Sequence, residues 1–188
     1  MPPAPELLAD DDAAFLIAVN VDRVSEAIAN LGLPALGAFA LWVPNEAQYM
    51  EPSALSVCSS EEWRRRLAPL VIAADPQGLA LALDPQTWDH PEVVLSGPPD
   101  LERFDAASAR LYERYGEERD PAAQVLGETA RRIARAPSVV AGPVLVAMVT
   151  DGSSSSDEAL DSIRYASPPA NVATLEAAGL PQSYWDLL

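Results

Sequence analysis

"DLERFDAASARLYERYGEERDPAAQVLGETARRIARAPSVVAGPVLVAMVT", residues 100–150, holds two helical periods and then one apolar strand, and this order decides the fold class. Leu101, Phe104, Ala107, Leu111 and Tyr115 recur at spacings of three and four, which draws one apolar stripe along a helix spanning about residues 100–117. Asp120 and Pro121 supply an N-cap and a first-turn proline for a second helix, about residues 121–135, with Val125, Leu126, Thr129 and Ile133 on its inner face. Glu128 can pair with Arg132 one turn later. "GPVLVAMVT", residues 142–150, predicts a buried, central strand.

Upstream of the helices, "AAFLIAVNV" has strand character and "DRVSEAIANLGLP" helix character, with Asp22 as the expected N-cap and Gly32-Leu33-Pro34 as the stop. "LGAFALWVP" and "ALSVC" read as strands, and "SSEEWRRRLAP" as a short helix in which Ser59 and Glu62 have capping-box spacing and Pro69 follows the end. "LVIAADPQGLALAL" reads as two apolar runs about an Asp-Pro turn. Strands first, two long helices, then a returning strand predict an α+β fold: a mixed sheet of five to six strands with the two longer helices packed on it. Residues 1–12, "MPPAPELLADDD", are expected as a mobile, proline-rich and acidic tail, and residues 13–188 as a single domain.

Composition removes much chemistry. Cys58 is the one cysteine and His90 the one histidine, so neither a disulfide nor an ordinary Cys/His metal site can form within the chain. All twelve basic residues are arginine, which excludes a Schiff-base lysine and a phosphate-loop lysine. Abundant Ala, Pro and Arg suggest a GC-rich, bacterial genome. The net charge of −16 repels nucleic acid and anionic membranes and favours association with basic partners. No apolar run is long enough for a membrane span, and the acidic N-terminus is unlike a secretory signal, so a cytoplasmic location is expected. No cofactor is expected.

After the strand at 142–150 the chain runs into "DGSSSSDEALDSI", residues 151–163, where Asp151, Ser153 and Ser155 form D-x-S-x-S. One carboxylate and two hydroxyls make a hard oxygen set, and the motif resembles the divalent-cation motif of von Willebrand A-type domains. In that fold the motif would open the domain, whereas here little chain follows it. An EF-hand reading fails because Ser156 stands at the turn-glycine position and Ser162 at the bidentate-glutamate position. The plainer expectation is a loop whose Ser156 or Asp157 caps the next helix. Cys58 precedes a capped helix, where a thiolate could be stabilised, but Glu61 and Glu62 in the first turn oppose it, and a small core residue is the expectation. His90, in "TWDHPE", is expected in a turn. "LWVP", "SSEEWRRRLAP" and "GLALALDP" together loosely resemble SseB-like bacterial proteins over about residues 40–85, with Asp84 where those carry asparagine. That resemblance implies a regulatory protein that binds protein partners.

The function expected from these features is a non-enzymatic, acidic protein-binding module, such as an immunity protein, inhibitor, adaptor or regulator, recognising a basic partner. Its expected contacts are Glu113, Glu117, Glu118, Asp157, Glu158 and Asp161, with Trp185 as an aromatic anchor. The alternative is a divalent-metal-dependent binding domain or hydrolase centred on Asp151, Ser153 and Ser155.

Overall fold

The computed structural model describes residues 4–44, 49–73, 76–117, 119–136, 140–150, 157–177 and 179–180. The first turn of helix, α1 (Pro5–Leu8), leads into α2 (Asp11–Asn30), the longest helix. Asp10 starts α2: its carboxylate accepts from the Asp12 N–H at 2.9 Å, and Asp11 and Asp12 place negative charge at the helix N-terminus. Gly32, at φ +63°, ends it in a conformation that glycine adopts without strain. Then follow β1 (Leu36–Trp42), β2 (Ala54–Ser59), α3 (Ser60–Ala73), α4 (Pro76–Ala82), a 3-10 turn at Pro85–Thr87 and β3 (His90–Val93). The chain continues through α5 (Leu101–Tyr115), α6 (Pro121–Ile133), β4 (Ala141–Thr150), α7 (Asp157–Ala166) and α8 (Pro169–Ala177).

The fold is α+β. Among the described residues the sheet has four strands in the order β3-β2-β1-β4, with β1 antiparallel to β2, β2 antiparallel to β3, and β4 parallel to β1. Strand alternation divides the core. Ala38 and Ala40 of β1 and Val146 and Met148 of β4 join Trp63, Leu79, Leu83, Ile163 and Leu175 on one face. Phe39, Leu41, Leu145, Ala147 and Val149 join Val24, Ile28, Leu126 and Ile133 on the other. Outside that face a third layer is mainly helical, with Leu7, Leu16, Ile17, Phe104, Leu111 and Val125 of α1, α2, α5 and α6 packed together with Met50 of the loop before β2. Each fully buried leucine or phenylalanine in these layers contributes roughly 1.5–3 kcal/mol.

Several local expectations change. "AAFLIAVNV" is the first half of α2, not a strand, and Asp22 is an exposed mid-helix residue. "LVIAADPQGLALAL" is the end of α3 and α4, not two strands: Leu79 and Leu83, one helical turn apart, are fully buried while Leu81 between them is 71% exposed. A strand would put all three on one face. Pro69 lies inside α3. Among the described residues β4 is an edge strand rather than a central one, with α7 and α8 against it. Helix α6 packs on the sheet as expected, but α5 packs on α2, because α2 supplies a helical layer where strand character is expected. Residues 4–12 are not a tail: they carry α1 and the start of α2, with Ala4 and Leu7 fully buried.

Candidate functional site

The charge excess is distributed unevenly once the arginines are placed. Nine of the twelve sit in ion pairs among the described residues: Arg23, Arg65, Arg66, Arg110, Arg114, Arg119, Arg131, Arg132 and Arg164. Most of the carboxylates they neutralise are buried or half-buried, Glu6, Asp161 and Glu176 being the exposed ones, so most exposed acids have no ion-pair partner among the described residues. On α5 the spacing of Glu102, Asp105 and Glu113, with Glu117 just beyond its end, sets these exposed side chains along one solvent-facing stripe. Tyr112, 40% exposed, lies one helical repeat from Asp105 on the same side. Asp11, Asp22 and Glu26 are exposed on α2, the helix against which α5 packs.

Of the expected contacts, Glu113 and Glu117 therefore belong to one acidic face, joined by Glu102 and Asp105. Asp161 is exposed on α7, where Arg164 stands 4.0 Å away and offsets its charge. Helix α6 contacts both α5 and α7, so the two groups of acids lie on separate elements rather than on one helix face. Glu118 and Trp185 lie outside the described residues, as do the side chains of Asp157 and Glu158, which open α7. Sequence reasoning misses the acids of α2, because the run before them has the apolar density of a strand. Asp10-Asp11-Asp12, a cap followed by an acidic first turn, is the signal that could have found the helix.

Asp151, Ser153 and Ser155 also lie outside the described residues. Among the described residues, no three His, Cys, Asp or Glu side chains come together to hold a metal ion.

Cys58 is fully buried between the sheet and α3, and its thiol is pushed up to about 12 by burial first and by the nearby Asp89 carboxylate second. It is a neutral core residue. His90 opens β3 opposite Val57, instead of lying in a turn. Asp89, just before it, ties β2 to the chain ahead of β3, because its carboxylate accepts from the Ser59 N–H at 3.0 Å and from the Ser59 hydroxyl. Burial raises the Asp89 carboxyl, but the Ser59 hydrogen bonds and the His90 imidazole outweigh it, and the net shift is downward. Ser59 Oγ accepts in turn from the Glu62 N–H at 3.4 Å. Half of the expected capping box is present; Glu62 turns instead to Arg65 and Arg66, at 2.7 Å each, and Asp89 takes its place at the Ser59 N–H.

A buried polar knot joins α6 to α7. Glu128 accepts from Arg131 at 2.7 Å, Arg132 at 3.0 Å and the Tyr165 hydroxyl at 2.7 Å. Burial raises the Glu128 carboxyl, but these three donors prevail and lower it; the Tyr165 phenol moves up to about 12, through burial and then the bond to Glu128. The Tyr165 ring packs over Gly127, where even an added Cβ would stand at an ordinary contact distance of 3.6 Å. This is a neutralised structural link whose arginines keep outward-facing groups beside a shallow hollow under α1.

Another concavity is a groove of about 530 Å³ between the start of β2 and the chain after β3. Arg23 of α2, only 7% exposed, lines it. Its Nε donates to the Ser96 carbonyl at 2.6 Å, and its Nη1 lies 3.4 Å from Asn20 Oδ1 and 3.1 Å from Glu51. Asn20 is itself fixed by donating to the Met50 carbonyl at 2.8 Å. Tyr49, Ser53, Glu92, Val94 and Leu95 complete the walls. Comparison of the chain with protein families, with curated proteins and with solved structures finds no match.

Proposed function

We propose that the chain is a non-enzymatic, acidic protein-binding module, of the immunity-protein, inhibitor, adaptor or regulator kind, that recognises a basic protein partner. The observation that carries this reading is the segregation of charge: arginines are tied up in internal ion pairs, while the exposed carboxylates of α5 and α2 stand without ion-pair partners among the described residues. A surface so arranged steers a cationic partner from a distance and repels other anions. Tyr112 beside the α5 stripe supplies the kind of aromatic anchor on which interface energy concentrates. The buried, neutral state of Cys58 is further support, because it removes the strongest nucleophile the sequence offered.

The test is capture of partners from host lysate on the immobilised chain at low and high salt, with mass spectrometry of what elutes. A basic protein released by salt is the expected result. Association should then slow about tenfold at low salt when Glu102, Asp105, Glu113 and Glu117 are neutralised together as Gln, Asn, Gln and Gln. An unchanged association rate would remove the electrostatic argument.

A further inference from the structure

We propose that the groove lined by Arg23, Glu51 and Glu92 docks an extended segment of the basic partner, with one arginine or lysine side chain seated between the two carboxylates. This rests on the function proposed above and names the surface that reads the partner. Three observations on the groove agree. First, Arg23 is more than nine-tenths buried, and its Nη2 has no acceptor among the described residues, although Nε and Nη1 are both engaged. A guanidinium held this firmly, with one edge unmatched at the wall of a groove, presents a donor for a peptide carbonyl. Second, Glu51 neutralises Arg23 and Glu92 stays exposed without an ion pair among the described residues, so two carboxylates and one guanidinium line the groove and its lining is net negative. Third, Tyr49 and Val94, 44% and 89% exposed, add apolar wall for the aliphatic stem of the incoming side chain.

The geometry also points to how the segment binds. Among the described residues strand β3 is an edge of the sheet beside the groove, but Pro91 offers no N–H and the β2/β3 register shifts between Leu55 and Val57. Such an edge is blunted against strand addition, so recognition falls to side chains in the groove.

The test uses the full chain, isotopically labelled for amide NMR, titrated with the capped peptide acetyl-Gly-Leu-Arg-Leu-Gly-amide and with the same peptide carrying citrulline in place of arginine. Saturable shifts at Ser53, Ala54, Val94 and Gly97 are expected with the arginine peptide and not with the citrulline one. Val94→Lys should weaken binding about tenfold, and Val94→Glu should not weaken it; at a position this exposed neither alters the fold. Shifts confined to the α5 stripe would overturn the groove and leave the proposed function standing. An equal response to both peptides, or no response, would overturn it as well. The function itself is judged separately: salt-released partner capture that Val94→Lys leaves intact refutes the groove alone, and no capture by the unaltered chain refutes the function.

Discussion

Asp12 and Arg110 lie 98 residues apart in the chain, and Arg110 Nη2 donates to Asp12 Oδ1 at 2.6 Å. Arg114 reaches the other Asp12 oxygen at 2.7 Å and Asp10 at 2.8 Å, and Arg119 bonds Glu6. The first turn of α2 is thereby fastened to α5. Hydrogen bonds from Arg110 hold the Asp12 carboxyl at about 2, well below its ordinary value. The native state therefore binds the proton less tightly than the unfolded chain, whose aspartate titrates near ~3.9. The stabilisation is complete above that value and is lost as pH falls toward about 2. Asp12→Asn should lower stability by about 1 kcal/mol at neutral pH, the full shift being discounted for the half-exposed arginines. In urea unfolding the gap between wild type and variant should close between about pH 5 and pH 2; a gap independent of pH would show that the pair does not carry the linkage.

Close approach of α3 to the sheet depends on two glycines. A Cβ on Gly37 would stand 2.4 Å from Trp63 Cβ and 2.8 Å from the Ser59 carbonyl oxygen, at the place where β1 shifts register. One on Gly142 would stand 2.3 Å from Ser60 Oγ and 2.8 Å from Ser60 Cβ. Gly37→Ala should destabilise by about 1–3 kcal/mol or more, since backbone and a Cβ cannot rotate away. Gly142→Ala should cost a similar amount and be relieved in a Ser60→Gly background, so a double-mutant cycle of unfolding free energies gives a favourable coupling. Strictly additive effects would mean that the strand, not Ser60, absorbs the added methyl.

The parts of this fold that are legible in the sequence are those with local punctuation. The Asp120 carboxylate accepts from the Ala123 N–H at 3.0 Å, Gly32 and Gly179 both take positive φ, and the Phe104, Ala107, Leu111 stripe is buried. The errors fall where apolar residues surround the chain on more than one side. In α2, Leu16, Ile17 and Val24 face different neighbours, so the run around them loses the one-sided period of a surface helix. In α4, Leu79, Leu81 and Leu83 alternate as a strand would, and only tertiary packing exposes Leu81. The groove is illegible for another reason: Arg23, Glu51 and Glu92 come from separate parts of the chain, and nothing in their spacing announces that they meet.

Among the described residues, the edge of β4 away from β1 is covered by side chains and not by a neighbouring strand. Ser162 Oγ bonds both the N–H and the carbonyl of Val149 at 2.9 Å, Ser167 Oγ bonds both groups of Ala147 at 3.0 Å, and Asn171 Nδ2 donates to the Leu145 carbonyl at 2.9 Å. These are alternate residues, the set that a further strand would have engaged. Ser167→Ala strips partners from two buried backbone groups and should cost about 1–3 kcal/mol. Amide exchange at Ala147 should accelerate, with Val149 less affected because Ser162 still covers it. Uniform acceleration along β4 would indicate global destabilisation and not a local seal.

Cys58, the sole thiol, has no exposed surface, and burial and Asp89 hold its pKa at about 12, so near neutral pH almost none of it is thiolate and reagent cannot reach it. The folded chain should therefore resist a disulfide reagent such as dithionitrobenzoate for hours, while the urea-unfolded chain reacts with one equivalent within minutes. Because the thiol is accessible only after opening, the slow native rate should follow stability. Gly37→Ala, whose added Cβ would press on Trp63 in the same core layer, should raise that rate about tenfold for each ~1.4 kcal/mol of unfolding free energy it loses, when opening is global. Rapid labelling of the native wild type would contradict the burial of Cys58 and restore it as a candidate nucleophile. Labelling that is slow but indifferent to Gly37→Ala would place the opening in a local movement of α3 instead.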